Sequence, residues 1–199
     1  MRDDKRQARM QEIETCAYAL FAELGFEGTS LLTVAKKAKA SNETMYRWYG
    51  NKNGLFESMV RTNAAQSRVL LENALKRDDP PLEALTKLSP VLLGMLLSER
   101  AILLNRAAAS DPSGMLGQLL AKGGREDVLP LIETVMNEII KAGIIHPPKG
   151  EKAGALYLRL LLGDAQIRRV IGTLPVPSDT EITHRAAQAV RLFLKLCRF

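Results

Sequence analysis

The sequence lacks the long apolar run of a membrane protein. Its longest uninterrupted apolar stretch, residues 91–97, has seven residues, far fewer than the roughly 18 that a membrane-spanning helix requires. The N-terminus is charged and has no apolar segment of the kind found in secretory signal peptides. We therefore expect a cytoplasmic protein that does not bind a membrane.

The chain has only two cysteines and two histidines, and they give no indication of a metal, redox or catalytic site. The two cysteines, Cys16 and Cys197, stand near opposite ends of the chain, without metal-ligand or redox spacing. Neither His146 nor His184 has a cysteine or carboxylate at ligand spacing. Ser110 and the serine three residues later lack the flanking glycines of a nucleophile elbow. The sequence therefore predicts no metal site, no cofactor and no catalytic residue.

Proline is absent from the first 79 residues, and all nine prolines fall at or after Pro80. Apolar residues recur at intervals of three and four rather than two, which predicts helices and no strands. We therefore expect an all-α protein whose second part is divided at its prolines. Pro90 is one of these predicted breaks, whereas Pro130 fits the first turn of a helix capped by Asp127.

Aromatic residues are scarce and unevenly distributed, since seven of the ten lie in the first 56 residues. This distribution predicts a small unit with an aromatic core, followed by a larger aliphatic unit. No linker rich in Gly, Pro or Ser separates the two units, so a long helix at about 54–78 is expected to join them. The predicted domains are residues 1–53 and 54–199.

The N-terminal unit has the pattern of a helix-turn-helix. Helices are predicted at 7–24, 31–38 and 42–49, with a turn at Lys39-Ala40. Two short helices joined by a tight turn and packed on a longer one place the second short helix in the DNA major groove. Residues 33–54 carry a net charge of +4, out of +6 for the whole chain.

The same residues resemble a known family. The segment TSLLTVAKKAKASNETMYRWYGNKNGLF, preceded by ALFAELGF, resembles the signature of the TetR family of transcriptional regulators. The resemblance covers roughly residues 9–57 and implies a helix-turn-helix domain followed by a helical ligand-binding and dimerisation domain. The turn departs from the family pattern, because Lys39 replaces the usual glycine and Ala40 replaces a larger apolar residue. A left-handed Lys39 would cost about 1 kcal/mol.

The resemblance also implies which side chains contact DNA. Phosphate contacts fix the position of the protein, and contacts to base edges read the sequence. The implied phosphate contacts are Thr29, Ser30, Tyr46, Trp48 and Lys52, the implied base contacts are Asn42, Thr44 and Arg47, and Lys39 and Glu43 complete the DNA-binding set. Glu43 either accepts a hydrogen bond from a cytosine amino group or complements the helix dipole.

Other basic residues near this unit admit two interpretations. Lys36 and Lys37 form either a solvated helix face or a contact to the groove. Arg2, Lys5 and Arg6 form a short arm, which is either a frayed terminus or a minor-groove contact.

For the C-terminal domain, the resemblance implies a small-molecule effector and a homodimer formed by the last two helices. The amphipathic segments 151–173 and 178–199 suit such an interface. The scarcity of aromatic residues favours an apolar effector. The effector-binding residues are unknown. The residues that belong either to a pocket or to the core are Met95, Leu96, Leu103, Leu104, Met115, Met136 and Ile140, and Asn105 and Arg106 either orient a ligand or face solvent.

Together these features predict a homodimeric regulator that binds a palindromic operator in double-stranded DNA. We expect it to act as a repressor that a small molecule releases. The alternative is a helix-turn-helix protein without such an effector, controlled by a protein partner, and a closed, fully packed C-terminal core would favour it. The complete DNA-binding set argues against an enzyme that carries a vestigial helix-turn-helix.

Overall fold

The computed structural model describes residues 2–76 and 80–197. These residues form α-helices and one π-helical turn, with no strand among them, so the predicted all-α fold is confirmed. The helices are α1 (Arg2–Leu24), α2 (Leu31–Lys37), α3 (Asn42–Tyr49), α4 (Lys52–Lys76), α5 (Pro81–Leu97), α6 (Glu99–Ser110), α7 (Met115–Leu120), α8 (Glu126–Lys141), α9 (Ala153–Leu162), α10 (Ala165–Val170) and α11 (Asp179–Cys197), and the π-turn is Ala121–Arg125.

The short helices of the N-terminal unit begin at side-chain caps. The Ser30 hydroxyl accepts a hydrogen bond from the Thr33 backbone N–H at 3.1 Å, and Ser41 caps α3 in the same way through Thr44 at 3.1 Å. These caps satisfy N–H groups that have no partner inside the helix. Helix α3 has the predicted bounds. Helix α1 begins at Arg2 rather than at residue 7, so the basic arm belongs to the start of this helix, and both interpretations of the arm stay open.

An aromatic core holds the N-terminal unit together. The rings of Phe21 and Phe26 meet edge to face with centroids 5.3 Å apart, and those of Phe26 and Phe56 do so at 5.7 Å. The same core cluster also contains Leu104 of α6 and Leu116 of α7. The N-terminal helices therefore pack directly on helices of the C-terminal region, and the domain boundary at residue 53 stays a prediction.

Helix α4 joins this unit to a second, mainly aliphatic core. It begins at Lys52, two residues before the predicted start, and residues 77–79 of the predicted segment lie outside the described residues. In the second core the rings of Tyr157 and Phe193 meet edge to face at 5.3 Å. Burial raises the pKa of Tyr157 to about 12.

The predicted helix break at Pro90 is wrong, because α5 runs through this residue. A proline inside a helix removes one backbone hydrogen bond. Packing compensates for that loss, since Leu88, Leu92 and Leu93 on both sides of Pro90 are buried in the aliphatic core. The hydroxyl of Ser89 adds bonds to the carbonyl of Leu85 and to the hydroxyl of Tyr157.

Two further helix boundaries differ from the prediction. Helix α8 begins at Glu126 directly after the π-turn and has no side-chain cap, so Asp127 does not cap it. The segment 151–173 is interrupted at Gly163, whose φ of 50° and ψ of −127° end α9. Helix α11 matches the predicted last segment as far as Cys197, and residues 198–199 lie outside the described residues.

Within the described ranges, no single helix is long and apolar enough to cross a membrane. Helices α5 and α6 together pass that test by length and composition, but they are bent by 50° relative to each other. Many of their apolar residues lie in the two cores. Across the same ranges, no three His, Cys, Asp or Glu side chains are grouped to hold a metal ion.

Candidate functional site: a nucleic-acid interface and a cavity

The outer face of α3 is polar and exposed. Asn42, Glu43, Tyr46 and Arg47 are exposed, whereas Met45 on the opposite face is completely buried. The spacing of one and three residues places the four exposed side chains on one side of the helix. Four of the predicted DNA-binding residues therefore share one accessible surface.

Arg47 and Glu43 lie one helical turn apart on this surface. The Nη1 atom of Arg47 is 3.7 Å from Oε1 of Glu43, and the two side chains are 62% and 85% exposed. An ion pair this exposed is worth at most about 1 kcal/mol. The guanidinium can therefore leave the carboxylate to reach a base edge, and both interpretations of Glu43 remain open.

Thr44 and Trp48 lie at the border of the exposed face, and both are half-buried. The Thr44 hydroxyl accepts a hydrogen bond from the Ser41 hydroxyl at 2.9 Å, so it already takes part in the helix cap. The guanidinium carbon of Arg6 lies 5.5 Å from the centre of the Trp48 ring, a cation–π contact. Arg6 therefore supports α3 from α1.

Lys52 is partly committed to the N-terminal unit. Its Nζ donates to the carbonyl of Phe26 at 3.0 Å and lies 4.1 Å from the centre of the Phe26 ring. The ammonium group has three donors, so one hydrogen bond leaves capacity for a phosphate. The side chain is half-buried and its charge sits at the first residue of α4.

Thr29, a predicted phosphate contact, lies just before the cap of α2 and is buried. It is 2% exposed, and its hydroxyl donates to the carbonyl of Gly25 at 2.8 Å. A buried hydroxyl that already has an acceptor stabilises the loop before α2. Ser30 is exposed, although its hydroxyl serves as the cap of α2. Ser30 is therefore more accessible than Thr29, and both phosphate contacts stay predictions.

The turn between α2 and α3 is left-handed at Lys39, with a φ of 50°. This conformation costs an L-residue roughly 1–2 kcal/mol. The Nη2 atom of Arg9 donates to the carbonyl oxygens of Ala38 and Lys39, at 2.7 Å and 2.9 Å. The role of Arg9 is not apparent from the sequence, because only the fold brings it next to a turn about thirty residues further along the chain.

A buried carboxylate links α1 to the long helix. Glu14 is 3% exposed and accepts hydrogen bonds from the hydroxyls of Ser58 at 2.7 Å and Thr62 at 3.2 Å. Desolvation raises the pKa of Glu14, and these two hydrogen bonds and the charge of Arg100 oppose the rise. This contact is not apparent from the sequence either, because Glu14 resembles the nearby solvated carboxylate of Glu12.

A cavity of about 460 Å³ opens between the helices α4 to α10 and the π-turn. Such a volume suits a small organic ligand. Most of its lining is aliphatic, and its polar side chains are two arginines and three amides. The cavity residues are Val60, Asn63, Ala64, Leu92, Met95, Leu96, Ala101, Leu104, Asn105, Gly117, Leu120, Ala121, Gly124, Arg125, Val128, Leu129, Ile132, Ala155, Leu158, Arg159, Leu162, Gly163 and Gln166.

The sequence assigned several residues to either a pocket or the core, and the cavity shows which of them line a pocket. Met95, Leu96 and Leu104 line it, whereas Leu103, Met115, Met136 and Ile140 do not. Asn105 also lines it, and its amide donates to the carbonyl of Ala101 at 2.8 Å. Arg106 is used elsewhere, because its guanidinium donates to the carbonyls of Val170 at 2.8 Å and Arg169 at 3.0 Å.

Comparison with protein families identifies both parts of the chain. Residues 15–59 match the family described as bacterial regulatory proteins, tetR family. Residues 83–196 match the C-terminal domain of AefR-like transcriptional repressors. The protein belongs to the TetR family of transcriptional regulators. The resemblance seen in the sequence is thereby confirmed, and the family consists of DNA-binding regulators rather than enzymes.

Solved structures of TetR-family proteins share this fold over nearly the whole chain. A transcriptional regulator from Mesorhizobium loti is 25% identical, with a TM-score of 0.76 and 96% of each chain covered. The flavonoid-responsive regulator FrrA is 23% identical, with a TM-score of 0.66 and coverage of 96% of this chain and 97% of its own. FadR from Bacillus subtilis in complex with stearoyl-CoA is 16% identical, with a TM-score of 0.70 and coverage of 94% and 99%. Comparison with curated proteins found no matching relative.

Proposed function

We propose that this TetR-family protein is a repressor that binds a palindromic operator as a homodimer and is released by a small molecule in its C-terminal cavity. The observation that carries the proposal is the apolar cavity of about 460 Å³, because α4 forms one wall of it. The same helix begins at Lys52, directly after the exposed helix α3. A ligand that prefers one position of α4 would therefore change the affinity for DNA.

The residues proposed to contact DNA are exposed or half-buried side chains on α3 and next to it. Arg47 and Asn42 read bases, because a guanidinium fork fits guanine and an amide fits adenine. Tyr46, Trp48, Ser30, Lys39 and Lys52 contact phosphates and fix the position of α3, and Thr44 and Glu43 border the same surface.

The effector of this proposal is an apolar molecule with one acidic group. Aliphatic side chains form most of the lining, and Arg125 and Arg159 belong to the same cavity. Arg125 is exposed and Arg159 pairs with Glu151, so an acid would bind Arg125 or displace the Glu151 carboxylate. One structural neighbour is a flavonoid-responsive regulator, and another was solved in complex with stearoyl-CoA. Both ligand types contain a large apolar part.

A second subunit would cover an apolar surface on the last two helices. Exposed apolar side chains that occur together in the final part of the chain suit a protein–protein interface. Five of them lie on or between α10 and α11: Ile167 (57% exposed), Ile171 (63%), Val176 (55%), Leu192 (40%) and Leu196 (55%). Light scattering that gives a mass of 22.0 kDa at micromolar concentration would contradict the homodimer.

Selection of bound duplexes from a random DNA pool, followed by a screen for compounds that release the protein, tests the whole proposal. We expect a palindromic consensus and a steep decrease of affinity with salt. Arg47→Ala should cost about 1–3 kcal/mol and relax specificity at one position of each half-site. Lys52→Ala should instead weaken all sequences and lower the salt slope by about 1. Failure to select any sequence would refute the DNA-binding part.

Control by a protein partner is the alternative. A closed, fully packed C-terminal core would favour it, whereas the cavity supports a small-molecule effector. If the selected DNA is released by no compound but is released by a protein, the effector part of the proposal is wrong and the operator part stands.

A further inference from the structure

The guanidinium of Arg9 connects α1 to the turn before α3. Its Nη2 atom donates to the carbonyls of Ala38 at 2.7 Å and Lys39 at 2.9 Å. Its Nη1 atom donates to the carboxylate of Glu12, one turn further along α1. Both ends of the guanidinium are thus engaged, and the side chain is 36% exposed. A fixed fork of this kind holds two acceptors in a defined geometry.

The turn itself leaves these two carbonyls without a backbone donor. The N–H of Ala40 bonds to the carbonyl of Ala35 at 2.9 Å, and that of Lys39 bonds to the carbonyl of Lys36 at 3.3 Å. This is the Schellman arrangement, in which the left-handed residue is usually glycine. Within the described residues no backbone N–H donates to the carbonyls of Ala38 and Lys39, and Arg9 supplies the missing donor.

A lysine in the left-handed position makes this donor important. Glycine adopts positive φ without a steric penalty, whereas a side chain with a Cβ disfavours it. The chain direction set at Lys39 determines where α3 begins, three residues later at Asn42. A change in φ at Lys39 would therefore move α3 as a whole, together with Arg47 on its exposed face.

We propose that Arg9 is a positioning residue for DNA binding: by bonding the carbonyls of Ala38 and Lys39 it holds the left-handed turn and so fixes the orientation of α3. Arg9 does this from α1 without contacting DNA. The proposal rests on the DNA-binding function proposed above, but it also predicts effects that appear without DNA.

The test is a double-mutant cycle of Arg9→Ala and Lys39→Gly. Since glycine adopts the turn without help, removal of Arg9 should matter less once residue 39 is glycine. We expect Arg9→Ala to weaken binding to the selected duplex about tenfold in the wild-type background, which corresponds to about 1.4 kcal/mol. In the Lys39→Gly background the loss should be less than about threefold.

Salt dependence and two control variants separate positioning from direct contact. A positioning residue leaves the salt slope unchanged, whereas loss of a phosphate contact lowers it by about 1. Arg9→Lys keeps the charge but not the fork, so it should lose most of the affinity that Arg9→Ala loses. Lys149→Ala removes one charge from an exposed loop residue and should leave the affinity unchanged.

Trp48 provides a readout that needs no DNA. It is the only tryptophan of the chain and lies on α3, so its quenching by acrylamide reports the position of this helix. Arg9→Ala should increase quenching well below the unfolding temperature, and Lys39→Gly should reverse most of that increase.

Equal effects of Arg9→Ala in the two backgrounds, on affinity or on quenching, would overturn the proposal. Wild-type affinity of Arg9→Lys together with a lower salt slope for Arg9→Ala would do the same, because it would assign Arg9 to a phosphate. If the wild-type protein selects no DNA, the proposed function fails, and the quenching cycle still decides whether Arg9 holds the turn.

Discussion

The two hydrophobic cores of this protein differ in what fills them. In the N-terminal core three phenylalanine rings meet edge to face, at 5.3 Å and 5.7 Å. The C-terminal core consists mainly of Leu, Ile and Val side chains, and its helices border a cavity of about 460 Å³. Interlocking rings hold a small group of short helices in one geometry. Under the proposed function, a ligand that enters this cavity would shift the aliphatic walls around it.

Helix α4 contributes residues to both cores and therefore connects them. Its residues Leu55, Phe56 and Met59 are buried in the N-terminal core. Ala64 and Leu71, further along the helix, belong to the aliphatic core. A rigid unit attached to one end of a helix follows any movement of that helix as a body. We therefore expect substitutions in the N-terminal core to alter the rigidity of the helix-turn-helix unit. Substitutions in the C-terminal core should instead alter the response of DNA binding to a ligand.

The largest effect is expected from removing a ring. Phe56 and Phe193 are both 0% exposed, one in each core, and truncation of either to alanine should cost about 3–5 kcal/mol of unfolding free energy. Only Phe56→Ala should change the fluorescence of Trp48 before global unfolding. Urea unfolding followed by both far-UV circular dichroism and Trp48 fluorescence measures this. If Phe193→Ala disturbs Trp48 equally, the two cores are not separate.

The next-largest effect is expected from a larger side chain placed in the aromatic core or beside the cavity. Val34 is 0% exposed in the aromatic core, so Val34→Phe should cost about 1–3 kcal/mol by overpacking. Leu158 lines the cavity, so Leu158→Phe should cost less than about 1 kcal/mol, because the ring can enter free space. Thermal unfolding compares the two variants.

Leu158→Phe should also weaken effector binding while leaving DNA binding intact. A cost for Leu158→Phe as large as that for Val34→Phe would show that the cavity cannot accept the ring, and would weaken the contrast between the cores.

A smaller effect is expected where the π-turn contacts α4. A Cβ added at Gly123 would lie 3.1 Å from Cγ1 of Val60, whereas one added at Gly124 would lie 3.8 Å from the same atom. Short π-helical segments are frequent at functional sites. We expect Gly123→Ala to push on α4 and change operator affinity without effector by about tenfold, about 1.4 kcal/mol.

Gly124→Ala is the matched control for this contact. It makes the same change of residue type in the same turn, so any gain in helix propensity is shared. Binding to the selected duplex should separate the two variants. Equal affinities would indicate that the π-turn does not transmit the state of the cavity to α4.

The smallest effect depends on pH and concerns Glu14, which joins α1 to α4. Burial raises the pKa of Glu14 above its ordinary value of 4.5. The folded state therefore binds more protons than the unfolded state in the window above 4.5, and this group lowers stability as pH rises through that window. Glu14→Gln removes the titration, so its stability relative to wild type should increase from pH 4.5 to about pH 7.

Urea unfolding at the two pH values measures this difference. A constant difference between Glu14→Gln and wild type would contradict the raised pKa of Glu14.

The predictability of the structure differed between the two regions for physical reasons. The bounds of α3 and the caps Ser30 and Ser41 follow from local rules, because a cap bonds a backbone group three residues away. In the C-terminal region the local rule failed at Pro90, where burial of the surrounding leucines outweighs a lost hydrogen bond. Local patterns also gave no indication of the π-turn, which packs against Val60 of α4.

The candidate site shows the same division. The exposed face of α3 was predictable from helical spacing, and Arg47 and Tyr46 lie on it as expected. The burial of Thr29 was not predictable, because it depends on how α1, α2 and the loop between them pack. The contacts of Arg9 and Glu14 join residues about thirty to fifty positions apart, a separation at which no periodicity carries information.

The sequence by itself determined the helical class, the helix-turn-helix, the exposed residues of α3 and the position of the positive charge, since all of these depend on neighbours within a few residues. Only the tertiary structure decided that a cavity lies beside α4, that Asn105 lines it while Arg106 bonds the end of α10, and that Arg9 bonds the carbonyls of the turn at Lys39. Cavities and distant hydrogen bonds arise from the way whole helices pack, and that packing is decided by the sum of many contacts rather than by any local pattern.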